Sequence, residues 1–186
     1  MKKQRLSKTG LARVLFPFFQ QYGYEAASLS MLSKACGLSK ASLYYHFPKG
    51  KIDMAHYVMA YAGRQMQQMI LAPLNNQSLS GEDAISQSLE GVMAYYDGDT
   101  PTCLMNSLMV GKGASLFGEQ VKQAIDNWTE ALANALVRKG IAPEKSVTQS
   151  RQIIETIQGA LIVNRLHQGR GYFDTSLKSL EKTMLK

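Results

Sequence analysis

The chemistry that this sequence offers is concentrated in residues 39–46, where polar side chains crowd a short segment. The side chains that end in hydrogen-bonding groups are Lys40, Ser42, Tyr44, Tyr45 and His46. Such groups bind base edges and phosphate oxygens when a helix enters the major groove of DNA. The small Ala41 leaves room for a close approach. The pattern therefore indicates non-covalent recognition of DNA.

A helix immediately before this segment would position it. Leu29, Leu32 and Ala35 recur three residues apart, which is the apolar spacing of a helix. Ser28 precedes them and can accept a backbone N–H bond as an N-cap. Gly37 follows them and suits the left-handed conformation in which many helices end. The sequence predicts a short helix between Ser28 and Gly37.

A second short helix is predicted directly after the turn. Ser39 offers another N-cap, and Leu43 continues the apolar stripe. Two short helices joined by a tight turn that contains glycine form a helix-turn-helix, here over residues 28–47. The alternative interpretation is an ordinary helical hairpin with a solvated polar face.

The distribution of charge favours the DNA-binding interpretation. Residues 1–51 contain nine basic residues and one acidic residue, Glu25, whereas the rest of the chain contains twelve basic and thirteen acidic residues. The first segment therefore carries a net charge of +8 and the remainder carries −1, which together give the formal net charge of +7. Neutralisation of phosphates predicts this clustering. A membrane-surface patch is the alternative, but residues 28–47 lack its broad apolar face.

The remaining sequence predicts helices throughout. Residues 9–22 are predicted to be helical, with a kink at Pro17 and an end at Gly23. Residues 72–80 are predicted to form a loop. Further helices are predicted at 51–71, 81–96, 103–110, 117–139, 144–167 and 172–185. The predicted fold is all-α with about nine helices.

Other classes of protein find little support in the sequence. We find no secretory signal and no run of eighteen apolar residues, so we expect a cytoplasmic protein. Cys36 and Cys103 are too few for a disulfide framework and are interpreted as small buried residues. The three histidines have no metal-ligand spacing, and no nucleotide-binding or nucleophile motif is present. We predict no metal, no cofactor, no membrane partner and no enzymatic activity.

Over residues 9–60 the chain resembles the TetR family of bacterial transcriptional regulators. The resemblance rests on the residue pairs 18–19 and 23–24, on Ser28, and on the blocks at 35–39 and 42–47. It implies an N-terminal three-helix DNA-binding domain at 1–50. It also implies a helical domain at 51–186 that binds a ligand and forms a homodimer.

The resemblance also implies which residues contact double-stranded DNA. Carried over by position, they are Ser28, Ser39, Lys40, Ala41, Ser42, Tyr44, Tyr45, His46 and Lys51. The implied protein is a repressor that binds a roughly palindromic operator and leaves it when a small molecule binds.

The binding site for that effector is predicted to be apolar, lined by adaptable methionines and flat aromatic rings. The candidates are Met66, Met69, Met93, Tyr96, Met105, Met109, Phe117 and Trp128. The alternative for each is an ordinary core position. The dimer interface is expected to use residues 144–167 with either 117–139 or 172–185.

Overall fold

The computed structural model describes residues 7–184, so residues 1–6 of the basic N-terminal arm lie outside the described part. The described chain is helical and contains no strand. Its helices are α1 (Lys8–Ala26), α2 (Leu29–Cys36), α3 (Lys40–His46), α4 (Lys51–Met66), α5 (Gly81–Tyr95), α6 (Leu104–Leu108), α7 (Lys112–Arg138), α8 (Pro143–His167) and α9 (Gly171–Met184). The prediction of an all-α fold with about nine helices is confirmed.

The helix α1 breaks at glycine rather than at proline. The hydroxyl of Ser7 caps the helix by accepting a hydrogen bond from the Gly10 N–H at 3.1 Å. Pro17 lies inside α1, and the residue with non-helical torsions is Gly23, at φ 68°. The predicted end at Gly23 therefore agrees with the backbone, and the kink at Pro17 stays a prediction, since the torsions there are helical. A left-handed φ bends the chain more sharply than a missing N–H does.

The helix α4 runs further than the sequence predicts. It passes through a π-helical turn, Gln67–Leu71, into a last helical turn, Ala72–Asn75. The loop predicted from residue 72 is therefore wrong for its first four residues. In the π turn the Ala72 N–H donates to the Gln67 carbonyl, five residues back. This shift in hydrogen-bond register accommodates Pro73, which has no N–H to donate.

The described chain forms two compact units. One contains the residues up to Arg64 together with Leu104–Gly118, and the other contains Gln65–Cys103 with Glu119 onwards. Two of the three boundaries fall within α4 and within α7, and the third lies directly before α6. We call these the first unit and the second unit.

The first unit has a core drawn from every one of its helices. Its fully buried residues include Leu15, Phe19, Leu32, Leu43, Phe47, Met54, Val58, Leu108 and Phe117. The helix α6 packs against α1. There the Ser107 hydroxyl donates to the Gln20 carbonyl at 2.6 Å, and a Cβ on Gly23 would lie 2.6 Å from the Ser107 carbonyl oxygen. Gly23 is therefore required both by its torsion angle and by this contact.

The second unit is a helical bundle in which α9 packs on α8 and on α5. Asn164 of α8 is fully buried, and its side-chain oxygen accepts hydrogen bonds from the N–H groups of Tyr172 and Phe173. These bonds satisfy the first turn of α9 from a neighbouring helix. At the other end of the unit, Arg138 of α7 donates to the Leu74 carbonyl at 2.8 Å.

Candidate DNA-binding surface

The first helix of the motif is closed at both ends by local interactions. The Ser28 hydroxyl accepts a hydrogen bond from the Met31 N–H at 3.2 Å and caps α2. Gly37 adopts φ 61°, and its N–H donates to the Lys34 carbonyl at 3.1 Å. The N–H of Leu38 donates to the Ser33 carbonyl, also at 3.1 Å. This left-handed ending turns the chain sharply toward α3.

The second helix, α3, starts on a double serine contact. The Ser39 hydroxyl accepts a hydrogen bond from the Ser42 N–H at 3.1 Å, and the two hydroxyl oxygens lie 2.9 Å apart. Leu43 and Phe47 are fully buried and fix the inner face of the helix. The start and the rotation of α3 are therefore set by its own sequence.

The outer face of α3 presents the predicted DNA-contacting side chains to solvent. Lys40, Ala41 and Tyr44 are exposed, and Tyr45 is 79% exposed. Ser42 and His46 are half-buried at the edge of this face. A large aromatic side chain costs free energy when it stands in water, so a surface of this kind suits a binding partner.

The position of Tyr44 is set by the turn that follows α3. Gly50 has φ 69°, and a Cβ on it would lie 3.0 Å from the Tyr44 ring. The N–H of Lys49 donates to the Asp53 carboxylate at 2.7 Å, which closes the turn onto α4. The tyrosine ring is thus packed at one edge while its outer part remains exposed.

The side chain of Lys51 contacts residues of α1 within the first unit. Its ammonium donates to the Glu25 carbonyl at 3.1 Å and lies 4.7 Å from the centre of the Tyr24 ring. Burial lowers the pKa of Lys51, and the nearby Glu25 carboxylate partly opposes this shift. In this conformation Lys51 stabilises the end of α1, because it caps a terminal carbonyl and rests on an aromatic face.

Several cations of the first unit are exposed to solvent. Lys8, Arg13, Lys34 and Lys49 are all exposed, as is Lys40 on α3 itself. The ammonium of Lys8 lies 3.4 Å from the Tyr57 hydroxyl. Exposed cations of this kind can approach phosphates without first breaking a buried ion pair.

The eight effector-site candidates are dispersed. Met105, Met109 and Phe117 belong to the first unit, where Phe117 packs on the rings of Tyr24 and His56. Met66, Met69, Met93, Tyr96 and Trp128 belong to the second unit. Met93 and Met109 are exposed, whereas Tyr96, Phe117 and Trp128 are buried.

An enclosed cavity of about 10 Å³ lies within the described part of the second unit. Trp128 is the only one of the eight candidates that lines it. The rest of its wall is formed by Ile85, Ser88, Leu89, Val92, Leu132, Ile153 and Ile157. A volume of this size accommodates about one water molecule.

Sequence reasoning missed two features that depend on distant contacts. Residues 104–118 pack with the first unit although they follow α5 in sequence. A buried polar group forms where Tyr96 donates to the Cys103 sulfur at 3.5 Å. Local periodicity does not reveal either of them. The only local sign of these contacts is the presence of polar residues, such as Ser107 and Tyr96, within otherwise apolar stripes.

The geometry of α2, the turn and α3 defines a helix-turn-helix protein in which the outer face of the second helix is exposed and polar. Comparison with known proteins agrees. The family model described as bacterial regulatory proteins, tetR family, matches residues 17–58. The model for the C-terminal domain of LmrA/YxaF-like transcriptional regulators matches residues 83–178.

Individual relatives cover most of the chain. The uncharacterized HTH-type transcriptional regulator YxaF of Bacillus subtilis is 26% identical over 153 residues, which is 78% of each chain. A TetR transcriptional regulator of Legionella pneumophila has a similar fold, with a TM-score of 0.81 at 22% identity, covering 98% of this chain and 99% of its own. A TetR transcriptional regulator of Chloroflexus aurantiacus has a TM-score of 0.80 at 21% identity, and the match covers 100% of this chain and 98% of that protein.

The chain belongs to the TetR family of bacterial transcriptional regulators. It is a DNA-binding regulator and not an enzyme, as the sequence predicted. No described helix combines the length and the apolar character that spanning a membrane requires.

Proposed function

We propose that the protein is a repressor that binds a roughly palindromic operator as a homodimer and is released by a small, largely apolar or aromatic effector. The observation that carries the proposal is the capped helix α3, whose exposed face is polar and aromatic, in a first unit whose lysines and arginines are largely exposed. Repression follows if the operator overlaps a promoter. Its DNA target would place the protein in the cytoplasm.

Within this proposal, the residues of the motif divide into two roles. Lys40, Ala41 and Ser42 lie on the first turn of α3, where base edges come within reach. The tips of Tyr44, Tyr45 and His46 lie further along and suit phosphate contacts. Ser28 and Ser39, at the two N-termini, add hydroxyl and backbone donors to phosphates. Lys51 contacts DNA only if it leaves the Glu25 carbonyl.

The homodimer is proposed to form through α8 and α9, the second of the two pairings considered from the sequence. Ile162 is 54% exposed and Leu166 is 76% exposed on α8, and Tyr172 is half exposed at the start of α9. Gly159, one turn before, has open space where a Cβ would stand. Apolar side chains beside a small residue suit close helix contact between two copies. A two-fold dimer would present two α3 helices about one DNA turn apart, roughly 34–36 Å.

Effector control is proposed to act through α4 and α7, because each of these helices contains residues of both compact units. An effector that binds one arrangement of the second unit more tightly shifts the population toward that arrangement. If the spacing of the two α3 helices then departs from one DNA turn, operator affinity falls. The functional division remains as proposed, with DNA binding in residues 1–50 and effector binding and dimerisation in 51–186.

The test is a measurement of operator affinity with and without candidate effectors. A fluorescently labelled operator is titrated with the protein in the presence of a panel of neutral, largely apolar compounds. We expect at least one compound to weaken binding about tenfold or more, in line with ordinary coupling free energies. Equal affinity across the panel would contradict the induction half of the proposal and leave the DNA-binding half standing.

A further inference from the structure

A buried polar cluster lies at the C-terminal end of α5, in the second unit. The Tyr96 hydroxyl donates to the Cys103 sulfur at 3.5 Å, and both residues are almost completely buried. Burial raises the pKa of Tyr96 well above its ordinary value, with smaller contributions from Cys103 and Tyr95. The hydroxyl is therefore a neutral hydrogen-bonding group.

The side chain of Gln158 completes this cluster without being satisfied by it. Both its amide nitrogen and its amide oxygen are buried, and neither makes a hydrogen bond of good geometry. Gln158 nevertheless lies close enough to Tyr96 to oppose the rise in the pKa of that hydroxyl slightly. A buried carboxamide that lacks partners reduces stability, so its presence needs an explanation.

None of the three residues lines the enclosed cavity, but Tyr96 lies one helical turn beyond its wall. Val92, which lines the cavity, and Tyr96 are four residues apart on α5, so they lie on the same face of the helix. On α8, Ile157 lines the cavity, and Gln158 follows it in sequence on a neighbouring face of the helix. The apolar cavity therefore ends near a group with donor and acceptor atoms.

The cluster carries no uncompensated charge. Arg170 donates to the Tyr96 carbonyl at 3.1 Å, but it is paired with Asp174 at 3.2 Å, and no cation contributes to the pKa shift of Tyr96. Arg138, the other half-buried arginine, packs near Gly81 at the opposite end of α5. That helix has 15 residues and spans about 22 Å. An anionic group in the cluster would meet no partner cation.

We propose that Tyr96, Cys103 and Gln158 form the polar end of the effector site, and that the effector is a neutral molecule with an apolar body and one end group that both donates and accepts hydrogen bonds. A carboxamide or a hydroxyl fits this description. The inference rests on the proposed function, because it identifies the chemistry of the effector in that proposal. The unsatisfied Gln158 is the group that the effector would pair.

Entry of a ligand requires the site to open, because about 10 Å³ does not hold one. The segment 97–102 joins Tyr96 to Cys103 and is held by Arg170, which donates to the Gly98 carbonyl at 2.7 Å. This segment is otherwise exposed along most of its length. Its displacement would uncover the cluster while α5 and α8 stay in place.

The single tryptophan of the chain makes the proposal measurable. Trp128 is 1% exposed and lines the cavity, so its fluorescence reports on occupancy directly. The probes are 4-cyclohexylbutanamide and its carboxylate analogue, 4-cyclohexylbutanoate, which have the same shape but differ in charge. We expect the amide to change the fluorescence and to bind about tenfold or more tightly than the carboxylate.

Two leucine substitutions on the same helix separate recognition from packing. Gln158→Leu is expected to remove the preference for the amide and to leave the melting temperature unchanged or raised. The matched control is Gln149→Leu, because the Gln149 side-chain oxygen is also buried without a partner, about 13 Å away along α8. The control is expected to keep the preference for the amide.

The outcomes divide cleanly. Failure of the wild-type protein to bind the amide, or an unchanged amide preference in Gln158→Leu, would overturn the proposed subsite. A probe that binds through Gln158 but leaves operator affinity unchanged would support the subsite and contradict effector-controlled release. Release of the operator by other compounds in a Gln158→Leu protein, at unchanged concentrations, would support the proposed function and overturn the subsite.

Discussion

The contacts that a side chain makes within the protein determine whether it is available to bind DNA. Lys40 has an exposed side chain at the start of α3, whereas Lys51 is bonded to the Glu25 carbonyl and rests on Tyr24. Two lysines that look equivalent in the sequence therefore differ in availability. Substitution of Lys40 is therefore expected to affect DNA binding, whereas substitution of Lys51 is expected to affect stability.

Substitution of Lys40 by alanine should weaken operator binding about tenfold, because one cation near base edges or phosphates is lost. If Lys40 contacts a phosphate, the slope of log affinity against log salt should also fall by about one. Lys178→Ala is the matched control, since Lys178 is exposed on α9. Fluorescence anisotropy at several salt concentrations measures both quantities, and equal affinities of the two variants would contradict the role given to Lys40.

Substitution of Lys51 by methionine should lower the free energy of unfolding by about 1–2 kcal/mol, because a carbonyl cap and a cation–π contact are lost. Lys49→Met serves as the comparison, since the Lys49 side chain is exposed and only its backbone N–H bonds Asp53. Urea denaturation followed by circular dichroism gives both values. The structural role of Lys51 would be refuted by two variants of equal stability.

At the scale of elements, the helices begin and end where their own residues allow. Ser28, Gly37 and Ser39 were predicted from the sequence as caps, and each adopts that role, because capping depends on neighbours within four residues. The loop expected from residue 72 was wrong for its first four residues. There the outcome depends on the hydrogen-bond register and on packing, which local residue types do not encode.

Gly23 is predicted to be required for the packing of α1 against α6. Gly23→Ala should destabilise the protein by about 2–3 kcal/mol, because the residue needs a left-handed φ and a Cβ would press on the Ser107 carbonyl. Gly63→Ala should instead stabilise it by about 0.5–1 kcal/mol, since Gly63 lies within α4 with open space around it. Thermal unfolding of both variants checks the prediction, which fails if the two shifts have the same sign.

At the scale of the whole molecule, the sequence places the net positive charge and the predicted DNA-contacting residues in the first 51 residues. The fold class and the motif could be predicted because helical periodicity and caps are local signals. The effector site stays a prediction, because Met105, Met109 and Phe117 fall in the first unit and only Trp128 of the eight candidates lines the enclosed cavity. Which apolar residues share a cavity depends on tertiary packing.

The proposed dimer makes a prediction about assembly. Ile162→Glu should shift the protein toward monomers and weaken operator binding, because a buried carboxylate at an apolar interface lacks a partner. Val110→Glu is the control, since Val110 is also exposed but lies outside α8 and α9. Sedimentation at micromolar concentration measures the change. A monomeric wild-type protein, or unaltered assembly of Ile162→Glu, would contradict the interface.

The most direct test of the central claim is a nuclease footprint of the purified protein on the DNA upstream of its own gene, at two salt concentrations. The account predicts a protected, roughly palindromic site whose half-sites lie about one DNA turn apart and whose occupancy falls steeply with salt. Lys40→Ala should lose that protection at a concentration where Lys178→Ala retains it. The absence of any DNA affinity at the lower salt concentration would contradict the account built on α3.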